Sequence, residues 1–379
     1  MKRREFLQGV GGALAAGTVL TACGSGEGTG NHGSDTSEGA PAVHTGKTWQ
    51  WDMFTTWPPD FPGLGTGANH LADLIDRMSG GRLKVRVYGA NERVAAGEVF
   101  GRVADGTAQM GHGAAYYWRD TVEAAQFFAA VPFGLTAQET NAWLFQGGGL
   151  ELWQELYDDY GLIPNPAGNT GVQMGGWFNK AVESPADLQG LKMRIPALGG
   201  DVLERLGGTP ISLPGGEIYT SLQTGKIDAT EWVGPYNDLA FGLHEVAKYY
   251  YYPGFHEPGS TVECTINKKA FQGLPTDLQQ ILRSACYVAN QDMLADFTAR
   301  NNQALQTLKT EHSVELRRFP DAILGQMLRT AEEVVAELGD QDQHARRIYD
   351  SFRRFRTDVM AWHEIAERAY LNARSGEPS

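Results

Sequence analysis

The chain has 379 residues, with Lys+Arg 32 against Asp+Glu 45 and a formal net charge of -13. That balance excludes a nucleic-acid surface, which needs clustered cations, and a count of Cys 3 excludes a disulfide scaffold. The length suits one large two-lobed domain or two ordinary ones.

Lys2-Arg3-Arg4-Glu5-Phe6-Leu7, followed by the weakly apolar stretch Gly9 to Leu20, reads as a signal peptide of the twin-arginine kind over residues 1–22. The stretch is shorter than the roughly 20 apolar residues a membrane span needs. Leu20-Thr21-Ala22-Cys23 resembles a bacterial lipoprotein box, which makes Cys23 the expected lipidated N-terminus of an exported, periplasmic protein. Residues 23–46 are rich in Gly, Ser, Thr and Glu. They cannot bury enough surface to offset their ordering entropy, and a flexible tether is expected there.

From Trp49 onward, strand and helix patterns alternate. Trp49 to Thr55 reads as a strand, Ala68 to Met78 as an amphipathic helix closed by Gly80-Gly81, and Arg82 to Tyr88 as a strand with Leu83, Val85 and Val87 on one face. Val94 to Ala104 reads as a helix and Thr107 to Gly113 as a strand. An aromatic helical region, Thr136 to Tyr160, precedes strands near Val172 to Asn179 and Lys192 to Ile195, and helices at Asp201 to Leu206 and Glu217 to Gln223. Such alternation predicts an α/β fold of two lobes with parallel sheets. Asp277 to Thr310 and Leu324 to Asn372 read as helical, with a break at Gly339. Arg346-Arg347, Phe352, Arg353-Arg354 and Phe355 mark a long amphipathic helix that either packs on its own lobe or docks on a second protomer.

No catalytic signature stands. There is no Gly-x-Ser-x-Gly elbow and no phosphate loop, and His363-Glu364-Ile365-Ala366-Glu367 lacks the second histidine of a zinc motif. Gly63-Leu64-Gly65-Thr66-Gly67 has the wrong spacing for a dinucleotide turn. His256 and Glu257, as neighbours on an extended segment, are expected to point to opposite sides. Cys264 and Cys286 read either as a pair or as two buried free thiols.

The run from Gly171 to Gly259 sets isolated charges among glycines and aromatics. Arg194 lies between Met193 and Ile195 in a short strand, and a guanidinium binds a carboxylate through two hydrogen bonds where lysine cannot. Its other reading is a structural ion pair. Glu231 and Glu257, if brought together, repel unless protonated or bridged by a metal, and hard oxygens favour Na+, Ca2+ or Mg2+. Otherwise they are unrelated carboxylates.

The block Gly168 to Phe178, the segment Asp187 to Pro196, Leu213-Pro214-Gly215-Gly216-Glu217-Ile218-Tyr219 and Glu231-Trp232 closely resemble periplasmic solute receptors of tripartite ATP-independent (TRAP) transporters. Phe127 to Gly134 and Tyr249 to Gly254 resemble the branch that binds 2-oxo and 2-hydroxy monocarboxylates. The likeness covers roughly Trp49 to Cys286. It implies a two-lobed periplasmic-binding-protein fold with crossing hinge segments: residues 47–168 with 233–266 as lobe I, 169–232 with 267–320 as lobe II, and 321–379 as a C-terminal helical region.

The resemblance implies that Arg194 clamps the substrate carboxylate and that Gln173 bonds the substrate. It also gives Glu231, the Trp232 carbonyl and Glu257 a cation, Na+ or Ca2+, that faces the ligand, while Tyr117 reaches the ligand from the other lobe. The expected partners are a small organic acid, the membrane subunits of a TRAP transporter and, through the C-terminal helix, a second copy of the chain. Two other readings from the same residues are a periplasmic metal-dependent enzyme acting on a 2-oxo acid and a receptor that presents its ligand to a sensor kinase.

Overall fold

A computed structural model describes residues 46–376. The expected signal peptide, Cys23 and the tether up to residue 45 lie outside the described residues. Among the described residues, eleven strands form two sheets.

The first sheet takes β1 (Trp49–Thr55), β2 (Leu83–Tyr88), β3 (Met110–Gly113), β4 (Leu162–Asn169) and, much later in the chain, β10 (Thr261–Asn267), in the order β2-β1-β3-β10-β4. The second takes β5 (Gly176–Phe178), β6 (Lys192–Arg194), β7 (Thr209–Ile211), β8 (Ala229–Thr230), β9 (Tyr249–Tyr252) and β11 (Glu315–Arg318), in the order β11-β9-β5-β8-β6-β7. The fold is α/β, as the alternating pattern predicts. The sheets are mixed rather than parallel, because β10 runs antiparallel to both β3 and β4, and β5 antiparallel to β8 and β9.

Local sequence explains the early elements well. Helix Gly65–Met78 buries Ala68, Leu71, Ala72, Leu74 and Ile75 at helical spacing. It ends where Gly80 and Gly81 adopt left-handed φ of 61 and 79°, and the Gly81 N–H returns to the Asp76 carbonyl at 2.9 Å. β4 escapes a pattern reading because Pro164 and Pro166 interrupt it. It holds an edge position beside β10 alone, where a strand tolerates the missing donors.

Two expected boundaries shift. β9 pairs with β5 and β11 in the second sheet, so the segment 233–266 does not belong to one half. Helix Thr276–Thr310 is shared as well: Leu278, Leu282, Ala285 and Cys286 pack with Met53, Leu83 and Cys264 of the first sheet, while Phe297 and Leu308 join the other core cluster. A 35-residue helix is about 50 Å long, enough to run past both sheets. Cys264 and Cys286 are buried free thiols.

The tail is helical over Asp321–Gly339, Gln343–His363 and Ala369–Ser375, with a π-helical turn at Glu364–Arg368. The Asp342 carboxylate caps the second of these through the Ala345 N–H at 2.8 Å. A Cβ on Gly339 would sit 2.6 Å from Tyr349 Cγ, so glycine is what lets the two helices meet. Ala345, Ile348 and Phe352 face the body of the chain, Phe352 edge-on to Trp143 at 5.4 Å. Beyond them Met360, Trp362, Ile365, Tyr370 and Leu371 are exposed.

Candidate functional site

The segments 170–175 and 253–260 carry the chain between the two sheets and lie side by side. Thr170 N–H donates to the Ser260 carbonyl at 3.0 Å, Gln173 N–H to the Glu257 carbonyl at 3.1 Å, and Gly254 N–H to the Gln173 carbonyl at 3.0 Å. Gly254 has no room for a side chain: a Cβ there would lie 2.3 Å from the Gln173 carbonyl oxygen. The crossing thereby places the Gln173 and Glu257 side chains together. Gln173 Nε2 donates to Glu257 Oε2 at 2.7 Å and to Thr170 Oγ1 at 3.1 Å.

Arg194 ends β6 and Glu231 follows β8, its parallel neighbour, which sets the two side chains over the same end of the sheet. Both are almost fully buried, at 2 and 1 % exposure, and the guanidinium bonds Glu231 Oε1 directly. Arg194 Nε also donates to the Leu213 carbonyl at 3.3 Å, and its Cζ lies 5.2 Å from the centre of the Trp232 ring. Burial is the largest single influence and works against the guanidinium's charge, but Glu231 together with Tyr117 and Tyr116 holds the group above its ordinary pKa. Trp232 is fixed in turn: its Nε1 donates to Asn237 Oδ1 at 3.2 Å and its ring meets Trp57 edge-on at 6.5 Å. Buried Asp238 accepts from Trp177 Nε1 at 3.0 Å, Tyr250 hydroxyl at 2.6 Å and Val233 N–H at 3.4 Å, which holds the turn that carries Glu231 and Trp232.

His256 was not legible as part of this site. Gly254 to Pro258 is a bent segment rather than an extended one, so neighbouring side chains need not diverge. His256 Nε2 lies 3.3 Å from Glu231 Oε2, and one ligand atom from each of Glu231, His256 and Glu257 falls within 4.8 Å of the others. Two carboxylates this close and this buried are costly. Burial first, and then the charge of Glu231, push the Glu257 carboxyl up to about 7, against the pull of His256 and the Ser260 hydroxyl. Gln173 Oε1 and His256 Nδ1 are buried without a hydrogen-bond partner. An orphaned amide oxygen beside crowded carboxylates suits a hard cation, and Gln173, Glu231 and Glu257 supply oxygens of the right chemistry.

Tyr117 arrives from the first half, on the short turn Ala115–Trp118 that follows β3. It lines the same small cavity as Arg194, and its ring packs edge-on against Trp57 at 6.1 Å. Gln173, Arg194, Trp232 and Tyr117 line one small cavity of about 10 Å³, roughly the space of a single water. Tyr117 also borders a larger cavity of about 700 Å³ whose walls include Thr56 and Phe100 on one side and Leu213 and Gly215 on the other. A carboxylic acid is larger than water, so these walls must part to admit one. The structure therefore brings all the sequence-predicted residues to one place, and adds Thr170, His256 and Ser260, which only the crossing of two loops reveals.

The sequence pattern described as bacterial extracellular solute-binding protein, family 7, matches residues 54–342. The monocarboxylate 2-oxoacid-binding periplasmic protein of Nostoc sp. is 40% identical over 375 residues, 99% of either chain. A TRAP periplasmic solute binding protein from Pseudoalteromonas atlantica, crystallised with bound sodium and pyruvate, is 42% identical with a TM-score of 0.83, over 86% of this chain and 99% of that one. Its counterpart from Colwellia psychrerythraea, with bound calcium and pyruvate, is 41% identical with a TM-score of 0.84, over 86% of this chain and 100% of that one. The fold, the buried constellation and these likenesses agree: the chain belongs to the family 7 extracellular solute-binding proteins, the periplasmic receptors of TRAP transporters.

Proposed function

We propose that this receptor captures a small 2-oxo or 2-hydroxy monocarboxylate together with Na+ or Ca2+ and delivers it to TRAP membrane subunits. The observation that carries the reading is the buried Arg194 guanidinium set beside two carboxylates and an orphaned amide oxygen. Arg194 takes the acid's carboxylate, with Gln173 and Tyr117 as further hydrogen-bond partners and the Trp232 ring as a wall. Glu231, Glu257, Gln173 and the Trp232 carbonyl are the oxygens that would hold the cation, whose charge offsets the carboxylates and attracts the acid's 2-oxo or 2-hydroxy oxygen. No chemical change of the acid is part of this role.

Arg194 already has a counter-ion in Glu231. An incoming carboxylate competes with Glu231 for the same guanidinium, and whatever neutralises Glu231 favours the acid. Acid and cation affinity are linked on this account. The two halves around the small cavity serve as lobes that close over the ligand, and segments 170–175 and 253–260 as their hinge.

Thermal unfolding with pyruvate, lactate and longer 2-oxo acids, with and without Na+ and Ca2+, tests the reading. A bound acid at a hundredfold its Kd stabilises by about 2.7 kcal/mol, and the largest shift is expected with acid and cation together. No shift with any of these acids would contradict it.

The receptor is also proposed to form a homodimer through the tail, because Trp362, Ile365 and Tyr370 are 61, 72 and 65 % exposed. Large apolar side chains grouped on one helical end favour a protein partner. Sedimentation is expected to give a dimer that Trp362→Glu with Ile365→Glu dissociates; a monomeric wild type would refute it. Export through Arg3-Arg4 and anchoring at Cys23 complete the proposal, and Cys23→Ala is expected to abolish labelling by radioactive fatty acid. Labelling that survives the substitution would remove the anchor.

A further inference from the structure

An ion pair away from the binding cavity ties together the two segments that meet across it. Arg119 closes the Ala115–Trp118 turn, its N–H donating to the Tyr116 carbonyl at 3.3 Å, two residues beyond Tyr117. Asp201 lies in helix Ala197–Arg205, which starts directly after the strand end that bears Arg194 and the short link Ile195-Pro196. Arg119 Nη1 donates to Asp201 Oδ1 at 3.1 Å and Nη2 to Oδ2 at 3.0 Å, the two residues lying 82 positions apart in sequence. This is the two-pronged guanidinium–carboxylate geometry, directional as well as attractive. The two side chains are 32 and 30 % exposed, so solvent screens the contact only in part.

The placement bears on ligand capture. Tyr117 comes from the half built on the first sheet and Arg194 from the half built on the second, and each is fixed to its own half by short-range bonds. Their separation depends on how the halves sit, and Arg119–Asp201 joins the halves within a few residues of both. We infer that Arg119 and Asp201 are positioning residues for ligand capture: their two-pronged bond holds Tyr117 against Arg194 and slows release of the bound acid. Neither residue lines the small cavity, so they act through the other two. This inference rests on the receptor reading above for the identity of the ligand.

The test is a charge exchange measured on pyruvate in the presence of Na+. Arg119→Asp and Asp201→Arg, each alone, set like charges face to face and are expected to raise the dissociation rate about five- to tenfold, with the association rate little changed. The double exchange restores the pair with reversed polarity and is expected to recover most of the loss. Small-angle scattering of the same variants without acid reads the halves directly: the singles are expected to have a larger radius of gyration than the wild type and the double exchange to return towards it. Single variants that release pyruvate at the wild-type rate would overturn the inference. So would a double variant whose loss is the sum of the singles, or singles that lower the unfolding temperature and leave release unchanged. If the wild type itself binds none of the acids, the receptor reading fails instead, and the scattering comparison still decides whether the pair holds the halves.

Discussion

Arg194→Lys is expected to weaken acid binding by roughly 2 to 5 kcal/mol, about 30-fold to several thousandfold in Kd. Lysine keeps the charge but loses the fork, and in this site the fork has two separate tasks. One nitrogen set meets Glu231 while Nε is committed to the Leu213 carbonyl at 3.3 Å, so a single ammonium cannot satisfy both and still face a ligand. The loss belongs in the dissociation rate rather than the association rate, since the group is 2 % exposed and contributes little to long-range steering. Glu231 would also keep a poorer partner in a buried place, and some folding stability goes with it. Calorimetry resolves the two effects if the variant is titrated well below its own unfolding temperature. Near-wild-type affinity there would remove Arg194 from the carboxylate.

The second large effect is expected from Glu231→Gln. In the wild type the ligand must share the guanidinium with Glu231, and the cation offsets that competition. A glutamine is similar in shape and has no charge to compete with. Acid affinity in Glu231→Gln is therefore expected to lose its cation dependence, the ratio of Kd without to with Na+ or Ca2+ falling to about 1, from the roughly 5- to 150-fold range typical of such couplings. In cation-free buffer the variant should bind the acid at least as well as the wild type, because the acid becomes the counter-ion that buried Arg194 lacks. A variant that keeps the full cation dependence would show that Glu231 is not part of the coupling.

How far the sequence foretells this site depends on what each residue's position rests on. Arg194 is legible because a guanidinium between Met193 and Ile195 in a short strand is rare, whereas Glu231 takes its role from the family resemblance; their meeting follows from β6 and β8 being parallel neighbours. Gln173 and Glu257 meet for a different reason, the antiparallel run of two crossing segments fixed by Gly254 and by the paired backbone bonds around it. That is a long-range fact with no local signature, and only the family resemblance suggested it. His256 was misread on the assumption of an extended backbone, when the Pro and Gly residues around it produce bends. The fold shows the same division. A helix with a clean apolar face, such as Gly65–Met78, is legible to the residue at its glycine-marked C-terminal end, while its start lies three residues before the expected Ala68. β4 was hidden by its prolines, and the membership of β9 in the second sheet depends on pairing with β5, more than 70 residues earlier in the chain, which no window of local sequence contains.

Linkage between acid and cation at Arg194, Glu231 and Glu257 is the central property expected of this receptor. The direct measurement is calorimetric titration of the wild-type protein, stripped by chelation and exchanged into Na+-free buffer, with pyruvate in the absence and presence of Na+ or Ca2+, and the reverse titration of cation with and without pyruvate. The prediction is a gain in pyruvate affinity on adding the cation, matched by an equal gain in cation affinity on adding pyruvate. Pyruvate affinity that is the same in both buffers would contradict it.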